Sequence, residues 1–341
     1  MADNWLEKKF EDLKAGTASV SKEERARKDA WRKRMEAERK RLEQERMSVI
    51  TRRFDVAGHM FEVTLPDTLP EDILDPYMPF LTESQDEPLF KLKLLMTDDL
   101  ASVSKGRLKE CFNDEPPYFW MFEKNGRYNF AFSYTKDKPD CLLMPSLEYT
   151  DNIVYICRKD AGRLAGFAFS NALMLLYAFK TMEHETLMIH ASVISFEGGG
   201  YMFLGKSGTG KSTHSRMWLQ NLEGCTLLND DNPVIRITEG QAYVYGTPWS
   251  GKTPCYKNRS VPLKAVVRLS QAPYNKVERL IPLKAYASLM PSCSCMRWDR
   301  QATDRLHATV EKVIMNTGCW HLECLPDADA AYTCHSAVVS A

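Results

Sequence analysis

The residues most able to do chemistry in this sequence form a glycine-rich run near residue 210. The run consists of Gly205, Lys206, Ser207, Gly208, Thr209, Gly210, Lys211, Ser212 and Thr213. Its pattern, Gly-x4-Gly-Lys-Ser, is that of a phosphate-binding loop, in which backbone N–H groups turn inward around a polyphosphate. In such a loop Lys211 reaches the β- and γ-phosphates, and the Ser212 hydroxyl binds Mg²⁺. The run therefore predicts a binding site for ATP and Mg²⁺.

The flanking sequence favours this interpretation over its alternative, a glycine-rich turn that binds nothing. The apolar residues 201–204 predict a strand that leads into the run, and residues 212–222 predict a helix that follows it. Gly224 is a suitable stop for that helix. A strand before the loop and a helix after it form the context in which this motif binds nucleotides.

Two adjacent carboxylates follow the loop at a spacing that fits the same site. Asp230 and Asp231 come after the apolar strand predicted at residues 225–228. Beside a phosphate loop, a carboxylate can bind the Mg²⁺ of the nucleotide or accept a proton from an attacking hydroxyl. If the strand continues through both residues, their side chains point to opposite faces. We assign metal binding to Ser212 and Asp231, and acceptance of the proton to Asp230. The reverse assignment of the two aspartates stays open, as does a solvated turn in which neither has a function.

Length, composition and charge argue against several other classes of protein. The chain has 341 residues, of which 44% are hydrophobic, and its formal net charge is +0. A neutral chain has no global attraction to nucleic acid or to an acidic membrane surface. The most apolar stretch, residues 165–179, is shorter than the about 20 residues that a membrane span needs. Since the N-terminus also lacks an apolar signal segment, we expect a cytoplasmic protein that binds neither nucleic acid nor membrane.

Composition divides the chain into three regions. Residues 1–48 are dominated by Lys, Arg and Glu, which predicts an exposed charged helix with a role in assembly, such as homo-oligomer formation, or with no function. Residues 49–160 contain short alternating segments separated by prolines and predict a β-rich region. Residues 161–341 contain the loop and begin with an apolar helix predicted at 163–181. They also include a strand predicted at 187–194 and a hairpin formed by residues 234–237 and 242–245.

The ten cysteines are spaced irregularly, and no Cys-x2-Cys pair occurs. This spacing favours reduced thiols, most of them in the core, over disulfides or structural zinc. One alternative is a metal site that combines several of these cysteines with a histidine. Its members would be Cys293, Cys295, Cys319, Cys324 and His321.

Residues 190–231 resemble the catalytic domain of the HPr kinase/phosphorylases. The loop followed by two aspartates is also similar to the ATP-dependent phosphoenolpyruvate carboxykinases, which share that fold. In the kinase family a histidine begins the strand that leads to the loop, and His190 occupies the matching place. The resemblance implies that one of Asp230 and Asp231 activates a seryl hydroxyl, that the other helps to hold Mg²⁺, and that His190 adjusts their protonation. Without the resemblance, His190 would be interpreted as an ordinary strand histidine.

The chain differs from the kinase/phosphorylases at two places. Thr213 stands where they usually carry Glu, as it does in the carboxykinases, and their later Arg-Gly-Leu-Gly signature is absent. Its approximate place is taken by residues 246–252, Gly-Thr-Pro-Trp-Ser-Gly-Lys, which are similar to HPr kinase-related proteins found beside peptide-modification genes. The resemblance thus implies a kinase for a peptide or small molecule more than a regulator of sugar transport.

Two further groups of residues have alternative interpretations. Pro248 and Trp249 could form an aromatic wall against a nucleotide or acceptor, with Lys252 near phosphate, or residues 246–252 could be a structural turn in which Trp249 packs inward. Three arginines could supply a cation to the transferring phosphoryl group, although a solvated helix face suits most of them better. They are Arg297, Arg300 and Arg305.

The element order and the resemblance together predict an α/β fold. It has a P-loop kinase core of the HPr kinase and phosphoenolpyruvate carboxykinase type, preceded by a β-rich region and a charged N-terminal helix. The predicted function is transfer of the γ-phosphate of ATP to a hydroxyl, most readily seryl, on a peptide, protein or small molecule. The predicted catalytic residues are Asp230, Asp231, His190 and Lys211. The rival is an ATP-binding switch or scaffold; the aspartates favour catalysis, because binding alone needs no base.

Overall fold

The computed structural model describes residues 48–112, 115–251 and 253–339. The chain divides into two compact units, Met1–Val49 and Ile50–Ala341. Of the charged segment predicted at residues 1–48, only Ser48 is described, so that helix lies outside the described residues, as does Lys252. The predicted division of the remaining chain at residue 160 stays a prediction. The sheets and helices belong to the second unit, except that the first strand begins at Val49.

The first of two sheets occupies the region for which the sequence predicts β-rich structure. Its strands are β1 (Val49–Val56), β2 (His59–Pro66), β3 (Phe90–Thr97), β4 (Arg107–Cys111), β5 (Tyr118–Lys124), β6 (Arg127–Ser133), β7 (Cys141–Pro145) and β8 (Asp151–Cys157). Their order across the sheet is β1-β2-β3-β8-β7-β6-β5-β4. Strands β5 to β8 form successive antiparallel pairs, whereas β3 runs parallel to both β2 and β8.

Alternating side chains explain why these segments form strands. In β2, Phe61, Val63 and Leu65 are buried, and the residues between them are partly exposed. This period of two places the apolar side chains on one face of the sheet. That face packs against helix α1 (Ala161–Thr181), whose Tyr177 ring makes an edge contact with Phe61. The Tyr177 hydroxyl donates a 2.8 Å hydrogen bond to the carbonyl of Val56, which ties the helix to the edge of the sheet.

Helix α1 is longer than the apolar stretch in the sequence indicates. With its flanking turns it spans Arg158–His184, so by length and composition this helix, among the residues described, could cross a membrane. Within its most apolar window, however, 61% is buried inside the fold. A helix that is apolar around most of its circumference and buried to this extent is typical of a core helix.

The second sheet carries the glycine-rich loop. Its strands are β9 (Thr186–Met188), β10 (Ala191–Phe196), β11 (Gly199–Leu204), β12 (Thr226–Asp231), β13 (Val234–Thr238), β14 (Gln241–Tyr245), β15 (Ser260–Gln271), β16 (Lys276–Arg279) and β17 (Gly318–Cys324). The strand order is β12-β10-β11-β15-β14-β13-β9, with β17 paired to β15 and β16 paired to β17. The remaining helices are α2 (Lys211–Asn221), α3 (Pro282–Leu289), α4 (Arg300–Asn316) and α5 (Ala328–Val339).

Three parallel strands determine where a ligand can bind on this sheet. Strand β11 runs parallel to β15, and β15 runs parallel to β17, so their carboxyl ends lie at one edge. The loop follows β11 at this edge and leads into α2. Ligands of α/β sheets bind outside the carboxyl ends of parallel strands. The topology thus brings the loop, the end of β15 and the end of β17 together.

Helices α2 and α5 cover one face of this sheet. Trp218 of α2 is completely buried and packs in one cluster with Phe203 of β11, Trp320 of β17 and Cys334 of α5. Burying these aromatic side chains stabilises the fold by several kcal/mol, on the order of 1.5–3 kcal/mol for each large apolar side chain. The base of the loop is therefore anchored in a packed core.

The structure divides the single strand predicted at residues 187–194. Strand β9 pairs with β13, whereas β10 pairs with β11 and β12. The chain changes partners at Ile189 and His190, whose N–H groups bond instead to the carbonyls of Pro233 and Ser292. Strand β12 is longer than predicted and continues through Asp231. The hairpin and the helix after the loop lie within one residue of their predicted bounds.

Candidate functional site

The loop has the backbone that its glycines permit. Gly208 and Gly210 have φ values of 78° and 108°, conformations that other residues rarely adopt. Gly210 leads directly into α2, and its carbonyl accepts the N–H of His214 at 2.8 Å. The first residues of α2, Lys211 and Ser212, thereby come to the N-terminus of a helix, where free N–H groups favour bound anions.

The side chain of Lys211 lies between the loop and His190. Its Nζ atom is 2.9 Å from His190 Nε2 and 3.0 Å from the carbonyl oxygen of Gly205. Burial lowers the pKa of Lys211 below its usual value, although the charges of Asp231 and Asp230 act in the opposite direction. The lysine is thus positioned at the site by two contacts.

His190 joins the lysine to one of the two aspartates. Its Nδ1 atom is 3.2 Å from Asp231 Oδ1. Since a protonated lysine can only donate, Nε2 of His190 accepts from Lys211. The proton of a neutral imidazole must then be on Nδ1, where it is donated to Asp231. The three side chains form a continuous series of contacts, Lys211–His190–Asp231.

The other aspartate contacts the serine of the loop. The Ser212 hydroxyl donates to Asp230 Oδ1 at 2.9 Å, and Asp230 is almost completely buried. The structure therefore brings Ser212 together with Asp230, in place of the pairing of Ser212 with Asp231 given by the sequence-based assignment. A hydroxyl and a carboxylate oxygen side by side are the donors that Mg²⁺ takes from proteins, which usually supply one or two carboxylates. These two residues fit that ion.

A loop after β14 fixes the position of both aspartates. The Asn229 amide donates to the Thr247 hydroxyl at 3.0 Å, and this hydroxyl donates to the carbonyl of Asn232 at 2.8 Å. The N–H of Gly251 donates to the carbonyl of Asp230 at 2.6 Å. Asn229 and Thr247 are completely buried, so the bond between them is shielded from water. We call Asn229, Asn232 and Thr247 the aspartate clamp.

Asp231 itself has an unusual backbone. Its φ of 149° is one that L residues rarely adopt. Its side chain is oriented from two directions, by His190 and by the Asn232 amide, which donates to Asp231 Oδ2 at 2.8 Å. Strained backbone of this kind persists where the surroundings overdetermine it, and it concentrates at functional sites.

Trp249 belongs to the core and forms no wall of the site. It is 3% exposed, and its ring lies 5.0 Å from the ring of Tyr177 and 6.3 Å from that of Tyr77, measured between centroids. Of the two interpretations of residues 246–252, the structure favours the structural turn for the described part, residues 246–251. The side chain of Lys252 lies outside the described residues.

Two of the candidate arginines, Arg300 and Arg305, lie on α4 and have carboxylate partners. Arg305 pairs with Glu183, and the highly exposed Arg300 lies near Asp304 on its own helix, which agrees with a solvated helix face. All ten cysteines are free thiols, and half of them are buried. Among the described residues, no group of three or more His, Cys, Asp and Glu side chains could hold a metal ion. The alternative cysteine–histidine metal site is therefore not formed.

Two cavities both touch Gly208 and Thr209 of the loop. The larger, of about 530 Å³, has several polar side chains on its walls besides the loop, although most of its surface is apolar. These polar side chains include His190, Arg268, Ser270, Ser288 and Ser292. The smaller, of about 410 Å³, is bounded by Thr213 and His214 and by apolar side chains. These include Met217, Leu269, Leu325 and Pro326.

Sequence reasoning missed Arg268 and the aspartate clamp. Arg268 lies near the end of β15, after a run of buried apolar residues. A charged residue at the carboxyl end of a buried parallel strand could have drawn attention to it. Thr247 carries no such signal, because its contact with Asn229 depends on the fold of residues 246–251.

Comparisons with known proteins place this site within a matched region. The family model described as SynChlorMet cassette protein ScmC matches residues 158–321, which include the loop, both aspartates and His190. No curated protein matches the chain. The structure of the Hpr(Ser) kinase/phosphatase from Coxiella burnetii is distantly similar, with 11% sequence identity and a TM-score of 0.27. The similarity covers 45% of this chain and 94% of that one.

Proposed function

We propose that this protein is an ATP-dependent kinase that transfers the γ-phosphate to a hydroxyl acceptor. The observation that carries the proposal is the convergence of three contacts at one edge of the sheet. Lys211 contacts His190, His190 contacts Asp231, and Ser212 contacts Asp230. A loop that only binds nucleotide needs its lysine and serine, but it does not need a second carboxylate oriented by a histidine.

The geometry supports a division of roles between the carboxylates. Asp230 and Ser212 would hold Mg²⁺, which neutralises phosphate charge when it is bound with the nucleotide. Asp231 would accept the proton of the acceptor hydroxyl, with His190 as its partner on one side and Asn232 on the other. This reverses the assignment preferred from the sequence and adopts the alternative left open there.

The positions of the two cavities support one orientation of the bound nucleotide relative to the loop. The backbone N–H groups around Gly208 to Ser212 would hold the β- and γ-phosphates. The smaller cavity beyond Thr213, which has Met217 and Leu325 on its walls, would take the nucleoside, since flat bases are held mainly by apolar walls. The acceptor would then enter the larger cavity, which His190 borders.

The test is transfer by the full chain with Mg-ATP. We expect a phosphoryl group to appear on a member of a panel of seryl peptides and small alcohols, as detected by mass spectrometry. We also expect slow ATP hydrolysis without an acceptor, because water can replace the hydroxyl. Both activities should require Asp231. Tight ATP binding without any hydrolysis or transfer would favour the ATP-binding switch or scaffold.

The predicted cytoplasmic location, the absence of nucleic acid and membrane partners, and the homo-oligomer stay predictions. The loop alone is compatible with a peptide, a protein or a small molecule as the acceptor. The residues that line the larger cavity indicate which class of acceptor fits it.

A further inference from the structure

Among the described residues, Arg268 is a cation beside the loop that has no ion-pair partner. On β15 it pairs in register with Leu204, the last residue of β11 before the loop begins. Its side chain is exposed and lines the larger cavity. In the part of the chain that the structure describes, no carboxylate lies within ion-pair distance of it. A guanidinium in this position is free to meet a charge that a ligand brings.

Among the described residues, the rest of the cavity is lined by uncharged polar and apolar side chains and by no negative one. Ser270 lies on the same face of β15 as Arg268, and its hydroxyl lies 2.7 Å from Nε2 of His321. Ser288 and Ser292 line another part of the cavity. No Asp or Glu side chain is among the described residues that line it. Its charged side chains are therefore the cations Arg268 and Lys206.

The loop already provides for the phosphates of the nucleotide. Lys211, which contacts the cavity residues His190 and Gly205, and the N-terminus of α2 supply positive charge next to the cavity. Arg268 lies on the neighbouring strand, where it extends the positive charge away from the loop into the acceptor space. A single guanidinium matches one carboxylate through two parallel hydrogen bonds. A second phosphate would add more negative charge next to the γ-phosphate and is less favourable.

We infer that the acceptor is a small molecule that carries a carboxylate as well as the hydroxyl, and that Arg268 binds this carboxylate. The inference rests on the proposed kinase function and names its substrate class. A cavity of about 530 Å³ is of the size that encloses small ligands, roughly 300–1,000 Å³. Arg268 is a specificity-determining residue in this scheme, and Asp231 retains the acid–base role.

The experiment compares matched pairs of probes that differ only in the carboxylate. L-serine is compared with L-serinamide, and glycerate with glyceramide, by calorimetric titration of the full chain saturated with Mg-ADP. We expect at least one carboxylate to bind about tenfold more tightly than its amide, as a charge-assisted hydrogen-bond pair provides. Arg268→Gln should abolish this preference, and Arg268→Lys should keep part of it.

A matched control is available on the same strand. Lys264 is exposed on the same strand, four residues from Arg268, but it does not line the cavity. Lys264→Gln should leave the preference for carboxylates unchanged. Thermal unfolding of each variant shows whether it remains folded, which is expected because both side chains are exposed.

Three results would overturn the inference. The first is that carboxylates bind no better than amides, and the second is that Arg268→Gln still prefers carboxylates. The third is that Arg268→Gln weakens the binding of ATP but not of ADP, which would place Arg268 on the γ-phosphate. None of these measurements requires phosphate transfer, so they stand even if the kinase proposal fails. Conversely, efficient transfer to amide acceptors would contradict this inference and leave the kinase proposal intact.

Discussion

Nζ of Lys211 lies 2.9 Å from Nε2 of His190, so the lysine of the phosphate loop directly contacts the histidine that orients Asp231. The lysine that binds phosphate and the carboxylate that accepts the proton are therefore linked through one imidazole. A nucleotide that draws Lys211 toward its phosphates would change the hydrogen bonding of His190. Nucleotide binding and acceptor activation are in this way coupled by a single side chain.

Replacement of Lys211 tests the loop. Lys211→Ala should weaken ATP binding by at least about 1.5–3 kcal/mol, or more than tenfold, because a charge-assisted hydrogen bond to phosphate is lost. Calorimetric titration with ATP measures this. Arg216→Ala is the matched control, since Arg216 is exposed on the same helix and lines neither cavity. Unchanged ATP affinity in a folded Lys211→Ala protein would disprove the phosphate-loop assignment.

The two aspartates should respond differently to substitution. Asp231→Asn should keep ATP affinity within a few-fold and lower phosphoryl transfer by about 10² or more, because the base is lost. Asp230→Asn should instead make activity depend on higher Mg²⁺ concentrations, because a metal ligand is lost. Steady-state rates across a Mg²⁺ titration separate the two effects.

Asp304→Asn provides the control for this pair, because Asp304 is a surface carboxylate on α4. It should behave like the parent protein at every Mg²⁺ concentration. If both site variants also transferred phosphate like the parent, the carboxylates would have no catalytic role, and the binding-only function would be favoured. If their effects were exchanged, the assignment made from the sequence would be the correct one.

The sequence predicted the parts of the site that local pattern controls. The loop, its strand and its helix are consecutive, so the glycine spacing and the apolar run at 201–204 were sufficient to locate them. The assignment within the aspartate pair depends on long-range register. Asp231 lies opposite Ala191 and Asp230 opposite Ser192 on β10, which places Asp231 beside His190 and leaves Asp230 facing Ser212.

Two other features also depend on distant parts of the chain. Trp249 is buried because Tyr77 and Tyr177, from a turn after β2 and from α1, pack against it. Arg268 lines the cavity because β15 lies parallel to β11. The burial of Trp249 leaves no signal near the residue itself, whereas Arg268 follows a run of buried apolar residues, which is a local signal.

Thr247 tests the aspartate clamp. Thr247→Val keeps the shape of the side chain but leaves the buried amide of Asn229 without its main acceptor, which should cost about 1–3 kcal/mol in the free energy of unfolding. The phosphoryl transfer rate should fall more than ATP affinity, because Asp231 loses its support. Thr253→Val is the control, since Thr253 is exposed and its backbone carbonyl accepts from the Ser250 hydroxyl. Equal losses in both variants would argue against a positioning role.

His214 predicts how stability depends on pH. It is buried in α2, and its Nε2 accepts the indole N–H of Trp218 at 3.1 Å. Burial lowers its pKa from 6.5 to about 4. Below pH 6.5 the His214 imidazole is therefore protonated in the unfolded chain, whereas in the folded protein it is protonated only near pH 4. The stabilisation is fully present above pH 6.5 and is lost as the pH falls toward 4, by at most roughly 3–4 kcal/mol.

His214→Gln tests this dependence, because glutamine keeps an acceptor for Trp218 and does not titrate. Urea unfolding should show that the free energy of unfolding of the parent falls more steeply on acidification than that of the variant. The difference in slope should approach about 1.4 kcal/mol per pH unit between the two pKa values.

His59 contributes equally to both proteins, so its effect cancels in the comparison. Burial lowers the pKa of His59 to about 3, and the charges of Arg236 and His184 act in the same direction. Between pH 7 and 8 (roughly one unit above the unfolded pKa) the two curves should be parallel. Parallel curves down to pH 4 would mean that His214 takes up its proton in the folded state without cost, contrary to its burial beside the loop.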